Sequence, residues 1–139
     1  QQKVNAVDMN SGSGKGLACD DKDKDKHDFY DYFITIPKEA KIKGVEVKLY
    51  AKADSIVDAP HICTQLSWDG GQTWTAPNLT NTLTTSLQAY TLGGILDTWG
   101  RTWTSNDLAN NNFKVRLTNV AGSPLRDFSL DWLAVRVSY

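Results

Sequence analysis

The sequence predicts an all-β fold: an antiparallel two-sheet β-sandwich, jelly-roll-like, with about eight strands. Apolar side chains recur at every second position along several runs of the chain, which is the period of a half-buried strand. Turn-forming residues separate these runs, as at Gly93-Gly94 and Gly122-Ser123-Pro124. The only helix-like signal is a capped turn at 105–108. Short strands at this spacing, each with one apolar face, are typical of sandwiches and jelly rolls.

Two runs show the alternation most clearly, and they predict six inward-facing residues. Because the side-chain period of a strand is two, a shift of one residue would expose all six and bury Glu46, Lys48 and Arg116. The six are Val45, Val47, Leu49, Phe113, Val115 and Leu117. The other strands are predicted at 4–9, 30–36, 62–67, 74–75, 89–92, 98–104 and 133–139.

The length of 139 residues suits a single domain, 1–139. Because the chain starts at Gln1-Gln2 without Met, we expect a processed terminus or a domain cut from a longer protein. Residues 4–8 alternate only loosely, and 11–16 contain three glycines. Segment 1–16 is therefore predicted to be an exchangeable N-terminal strand on a glycine-rich hinge, which can pair with its own sheet or with a neighbour's.

The charge of the chain is balanced. Fifteen Lys and Arg face sixteen Asp and Glu, for a formal net charge of -1. This balance gives no electrostatic reason to expect a nucleic acid or an anionic membrane, so we expect no nucleic-acid partner. No apolar run approaches the roughly 18 residues of a spanning helix, so we expect no membrane span in this chain.

Residues 67–74 match the eight-residue Asp-box pattern S-x-D-x-G-x-T-W. In such a turn the Asp accepts hydrogen bonds from amides, the Gly takes a positive φ, and the Trp covers the base of the hairpin. Asp-boxes repeat around sialidase propellers, but one box in 139 residues cannot build a propeller. We interpret it as a turn device rather than a catalytic site. Its motif residues are Ser67, Asp69, Gly71, Thr73 and Trp74.

The two cysteines, Cys19 and Cys63, are either buried free thiols or a disulfide, and export would favour the disulfide. Six segments of the sequence also carry a resemblance to known proteins: IPKEAKIKGVEV (36–47), QLSWDGGQTWT (65–75), YTLGG (90–94), DTWGRTW (97–103), NFKVR (112–116) and RDFSLDWLAV (126–135). Through these segments the sequence resembles β-sandwich modules of bacterial secreted, pilin-like and other surface proteins, over nearly the whole chain from about residue 28. The resemblance implies a secreted or cell-surface protein with cysteines at these two places, and hence a Cys19–Cys63 bridge. It supplies no catalytic residues.

Catalytic and metal-binding signals are weak. The histidines, His27 and His61, have no G-x-S-x-G elbow to serve, so we predict that the chain is not an enzyme. Asp21, Asp23 and Asp25 begin like a calcium loop, but position six is Lys26 instead of Gly, and lysines alternate with the carboxylates. We therefore expect a solvated charged loop and no cofactor, with Ca²⁺ at these three aspartates as the alternative.

Five tryptophans raise the question of glycan binding. Trp68, Trp99 and Trp103, with Arg101, either form a flat platform on which sugars stack or pack inside the protein, and the sequence leaves both open. Trp74 and Trp132 are interpreted as core.

The leading functional hypothesis is a non-catalytic extracellular structural or adhesive module, such as a subunit of a surface filament or pilus, which self-associates through strand edges. The alternatives are a carbohydrate-binding module and a glycoside-active enzyme. Assembly predicts an unpaired strand edge, glycan binding predicts a row of exposed rings, and an enzyme predicts a cleft with paired carboxylates.

Overall fold

A computed structural model describes residues 6–8, 18–19, 24–122 and 125–139, with the backbone alone for 6–8. Within these ranges the chain forms strands, turns and irregular segments and no helix, so the all-β prediction is confirmed. The strands are β1 (Ala6–Asp8), β2 (Lys26–Phe29), β3 (Gly44–Ala53), β4 (His61–Ser67), β5 (Asn78–Leu79), β6 (Gln88–Gly93), β7 (Lys114–Val120) and β8 (Phe128–Ser138).

The strands lie in two sheets in which every pairing is antiparallel, as predicted. The order is β1-β8-β3-β6 in the first sheet and β2-β7-β4-β5 in the second. Four of the pairs are nested along the chain: β1 with β8, β2 with β7, β3 with β6, and β4 with β5. The first four strands therefore pair with the last four in reverse order, as in one long hairpin. Successive strand pairs of this hairpin lie alternately in the first and in the second sheet.

Both sheets contribute to one hydrophobic core. The six residues predicted to face inward are all buried, with at most 4% of their surface exposed, and this prediction is confirmed. Lys48 is exposed, and Glu46 and Arg116 are half-buried on the outer faces. Burying one such apolar side chain contributes about 1.5–3 kcal/mol, which makes the alternation a strong determinant of register.

The strand predicted at 30–36 is wrong in its backbone. The strand ends at Phe29, and Asp31 and Phe33 have φ values of 62° and 52°, in a left-handed conformation that a strand does not contain. The side chains still alternate, because Tyr32, Ile34 and Ile36 pack against the core. The alternation of apolar residues thus predicted correctly which side chains of this segment pack against the core, but it predicted the backbone conformation incorrectly.

The strands predicted at 74–75 and 98–104 are also absent from the structure. Thr75 still returns to β4, since its amide donates to the Leu66 carbonyl at 2.9 Å and its hydroxyl accepts from the Leu66 amide at 3.0 Å. At 98–104, the Asp97 carboxylate accepts a hydrogen bond from the Trp99 amide at 2.8 Å, and Trp99 has a φ of 55°. A side chain that accepts a hydrogen bond from a nearby backbone amide in this way replaces the hydrogen bond that this amide would make to a neighbouring strand.

Three connections meet at one end of the molecule: 30–43, 68–77 and 94–113. Gly70 donates its amide to the Asn112 carbonyl at 2.9 Å, and the Asn110 side chain donates to Asp31 at 2.8 Å. At the opposite end, Gly122 donates to the Asp58 carbonyl at 2.7 Å. The chain therefore presents the Asp-box turn and the long 94–113 connection side by side.

The predicted disulfide between Cys19 and Cys63 is confirmed, with 5.8 Å between the two Cα atoms. Cys63 is buried in β4 and lies opposite Thr118 of β7 and Leu79 of β5. The bridge therefore ties the segment that precedes β2 to the second sheet.

Loss of this bridge is expected to destabilise the protein by about 4 kcal/mol, because it closes a loop with a sequence separation of 44 residues. The measurement is denaturant unfolding of the oxidised protein, the reduced protein and the Cys19→Ser/Cys63→Ser variant. The reduced protein and the double variant should agree, and reductant should leave the variant unchanged. Equal midpoints for the oxidised and reduced proteins would contradict a stabilising role.

Candidate functional site

The Asp-box turn is held by hydrogen bonds within the motif. The Asp69 carboxylate accepts from the amides of Gln72 at 3.0 Å and Thr73 at 2.8 Å, and from the Ser67 hydroxyl at 2.9 Å. Gly71 has a φ of 98°, and its carbonyl accepts from the Trp74 indole N–H at 3.0 Å. The Asp69 carboxylate and the Ser67 hydroxyl are thus both used to shape the turn.

Hydrogen bonds also lower the pKa of Asp69 from its ordinary value of 3.8 to about 2. The side chain and the amide of Thr73 contribute most, Ser67 and Gln72 add to them, and together they outweigh the opposing effect of desolvation. A general acid needs the opposite shift, towards neutral pH. Asp69 is therefore suited to clamping amides as a carboxylate and is poorly suited to donating a proton.

Three of the four predicted glycan-binding residues come together beside this turn. The Arg101 guanidinium lies 3.7 Å from the ring centroid of Trp68 and 4.6 Å from that of Trp103. The two rings meet edge to face, with centroids 6.3 Å apart. Arg101 also forms an ion pair with Asp107 at 3.1 Å. The cluster therefore fastens the Asp-box turn to the 94–113 connection through cation–π contacts.

This cluster does not present the row of exposed rings that stacking on sugars requires. Trp103 is 3% exposed, and its indole N–H donates to the Thr98 carbonyl at 2.8 Å. Arg101 covers a face of Trp68. A hollow of about 520 Å³ opens beside the cluster and is lined partly by Lys41, Arg101 and Thr102. Trp103 is the one aromatic residue among the described residues that line the hollow, so the hollow offers no row of rings.

Trp99, the fourth predicted residue, lies apart from the other three. It is 6% exposed, and its indole N–H donates to the Val45 carbonyl at 2.7 Å. The ring lies over Gly93, where an added Cβ would be 2.5 Å from Trp99 Nε1. Trp99 therefore belongs to the core at the end of the first sheet, and the structure gives it no surface for a ligand.

Two tryptophans interpreted as core lie outside it. Trp74 is half-buried beneath the Arg116 guanidinium, 3.9 Å from its ring centroid, and Arg116 is in turn bound by Asp28 at 2.8 Å. Trp132 is half-buried on the outer face of the first sheet, directly opposite Tyr50. Neither ring belongs to the core cluster, so the interpretation of both as core is corrected.

A β-bulge explains the position of Trp132. The pairing of β3 with β8 shifts between Tyr50 and Ala51, which face Trp132 and Leu130, so Asp131 is the extra residue. Before the bulge the inward-facing residues of β8 have even numbers, as at Phe128 and Leu130. After it the inward-facing residues have odd numbers, as at Leu133. The sequence carries this signal: the apolar run changes phase between Leu130 and Leu133.

No metal centre is formed by the part of the chain that the structure describes, where no three His, Cys, Asp or Glu side chains are grouped to hold an ion. Of the alternative calcium ligands, Asp25 is described, and Asp21 and Asp23 lie outside the described residues. His61 Nδ1 lies 2.8 Å from the Thr80 carbonyl, which identifies it as a ring hydrogen-bonded to the backbone.

Comparison with known proteins gave no match: no family model, no curated protein and no solved structure is significantly similar to the chain. Across the described ranges, no helix has the length and hydropathy needed to cross a membrane. The roles assigned to side chains therefore rest on their geometry and chemistry.

The Asp-box turn is expected to lose its hydrogen bonds only in strong acid. Because folding lowers the pKa of Asp69, its contribution to stability is complete above about pH 4 and is lost as the pH falls through about 2. An NMR titration of the Gln72 and Thr73 amides should give a midpoint near pH 2. Asp69→Asn should abolish this transition at both amides. A midpoint near pH 4 would contradict the proposed clamp.

Proposed function

We propose that the chain is a non-catalytic extracellular structural or adhesive module with a jelly-roll sandwich fold, and that copies of it associate through the outer edge of β8 into a surface filament. The observation that carries the proposal is the pairing on that edge, where Ala6–Asp8 is the only described segment and lies against Phe128, Ser129 and Leu130.

The jelly-roll assignment is supported by the nested pairing and the common core. A jelly roll is an eight-stranded double-sheet fold with Greek-key connections, which is found in capsid and lectin domains. In this chain the pairs β1·β8, β2·β7, β3·β6 and β4·β5 alternate between the two sheets, as winding a long hairpin around a core would produce. Such folds commonly bind or assemble, which agrees with the proposed role.

The edge of β8 is long. On one side β8 pairs with β3 from Phe128 to Ser138, and on the other β1 pairs only with Phe128, Ser129 and Leu130. Among the residues that the structure describes, no strand lies along the rest of that side. The bulge at Asp131 separates the covered part of the edge from a regular part at 132–138. Unpaired amides and carbonyls along a regular edge are the template for strand addition.

The disulfide supports an extracellular location. Disulfides form and persist in oxidising compartments, and the bridge between Cys19 and Cys63 joins distant parts of this chain. We therefore include a secreted or cell-surface location in the proposal, on the strength of this bridge.

Strand exchange is the proposed mode of association. In the structure Ala6–Asp8 pairs with β8 of its own chain, in the register Ala6 to Leu130. The same register between two copies would form the same three-residue pairing, so the intramolecular and exchanged forms differ little in contact energy. The remainder of the predicted exchangeable segment, 1–5 and 9–16, lies outside the described residues.

Cysteine cross-linking distinguishes the two forms, because Val7 and Ser129 lie directly opposite each other. In a mixture of the single variants Val7→Cys and Ser129→Cys, exchange holds the two new thiols opposite each other, so the diagnostic product is the mixed 7–129 disulfide identified by peptide mapping. We expect mild oxidation of the mixture to give a covalent dimer on a non-reducing gel, and oxidation of the double variant to give a ladder.

The matched control places the second cysteine at Thr91, an exposed residue of β6 at the opposite edge of the same sheet. A mixture of Val7→Cys and Thr91→Cys should give no dimer. The proposal is refuted if the first mixture also gives no dimer, the double variant cross-links only within one chain, and the native protein sediments as a monomer at high concentration.

A further inference from the structure

The outer face of the first sheet carries an aromatic pair, an exposed Tyr50 and a half-buried Trp132. Tyr50 and Trp132 are register partners on β3 and β8, and Tyr50 is 38% exposed. Along the same face, Lys48 lies opposite Ala134 and Glu46 lies opposite Arg136. The bulge at Asp131 turns the Trp132 ring to this face, where it can contact a ligand.

A hollow of about 200 Å³ lies next to the Trp132 side of this face. Five of the residues that line it are Glu46, Lys48, Trp132, Ala134 and Arg136. The small side chain of Ala134 leaves room between the larger ones. The hollow is smaller than the pockets that enclose drug-sized ligands, and it suits one ring of a polymer that lies across an open sheet.

The hollow has an available hydrogen-bond donor in the indole N–H of Trp132, which makes no hydrogen bond to the described residues. The indole N–H groups of Trp74, Trp99 and Trp103, by contrast, are bonded to carbonyls. A flat apolar ring with an unused donor at its edge is suited to a ligand that has both an apolar face and hydroxyl groups. A sugar ring has this chemistry.

The charges of the hollow are unequal. Lys48 is exposed and forms no ion pair within the described part of the chain. Arg136 is 65% exposed and uses one nitrogen, Nη2, to bind Glu46 at 2.9 Å, which leaves its other donors available. The only carboxylate that lines the hollow among the described residues, that of Glu46, is already paired. The hollow therefore offers uncompensated positive charge to an anion.

From these observations we infer that the Trp132 face binds an acidic polysaccharide, with the ring of a uronic acid residue stacked on Trp132 and its carboxylate held by Lys48 and Arg136. Charge complementarity selects the carboxylated sugar, because Glu46 balances Arg136 and a neutral sugar would leave the charge of Lys48 unmatched. The site lies on the face of the sheet, and so it is independent of the edge through which self-association is proposed.

The test measures binding of the whole chain to polygalacturonate, alginate and hyaluronate by calorimetry, with dextran and methyl-esterified pectin as neutral polymers. We expect at least one uronate polymer to bind, and the neutral polymers to bind at least about tenfold more weakly. Lys48→Met and Trp132→Leu should each weaken binding by about tenfold or more. Leu keeps an apolar side chain on the sheet, and the melting temperature of each variant checks that it folds.

Lys41→Met is the matched control, since Lys41 is an exposed lysine beside the separate Arg101 cluster. It removes the same charge from another place and should leave binding unchanged. Three results would each overturn the inference: no binding to any of the three uronate polymers, equal binding to the esterified pectin, or equal losses with Lys41→Met and Lys48→Met.

Discussion

The pairing of β3 with β8 is the constraint on which the rest of the structure depends. The two strands share ten register partners, from Gly44 with Ser138 to Ala53 with Phe128. This register fixes the inward faces of the two middle strands of the first sheet, and with them the core that the second sheet covers. Sheet registers are strongly specified where one face is buried, and here the buried face includes Val47, Leu49 and Leu133.

The bulge within this pairing determines the chemistry of the outer face. Without the extra residue Asp131, the alternation of Phe128 and Leu130 would continue, and Trp132 would face the core while Leu133 faced solvent. With it, Leu133 is buried and Trp132 reaches the outer face beside Lys48 and Arg136. Bulges re-aim side chains in this way, often next to functional sites.

The sequence predicted best where burial alone determines conformation. The period of two located β3, β7 and the end of β8, because each has a face in the core. It failed at 30–36 and 98–104, where apolar side chains alternate but Asp31, Phe33 and Trp99 have positive φ values. Periodicity reports which side chains are buried, and it carries no information on local hydrogen bonds such as the one from the Trp99 amide to Asp97.

The tryptophans show the same limit at the level of the site. Their number suggested a ligand platform, but position decides their role: Trp99 is fixed over Gly93, where a Cβ cannot fit, and Trp103 is packed against Phe113 with 6.0 Å between ring centroids. Neither close approach can be deduced from spacing along the chain. The outward position of Trp132 could have been predicted, because the alternation of apolar residues in the sequence changes phase between Leu130 and Leu133.

The edge and the outer face of the first sheet meet at β8, and this gives the two proposals a physical connection. A strand donated to the β8 edge by another copy would lie in the plane of the sheet, and it would leave the face that carries Trp132 uncovered. A hollow of about 200 Å³ holds little of a polymer, so one copy would bind a polysaccharide weakly. Copies joined through their edges would present the hollow repeatedly along the filament. Once one hollow has bound the polymer, binding of the same polymer by the next hollow would be intramolecular. The avidity of the filament would then rise although no single hollow gains an interaction.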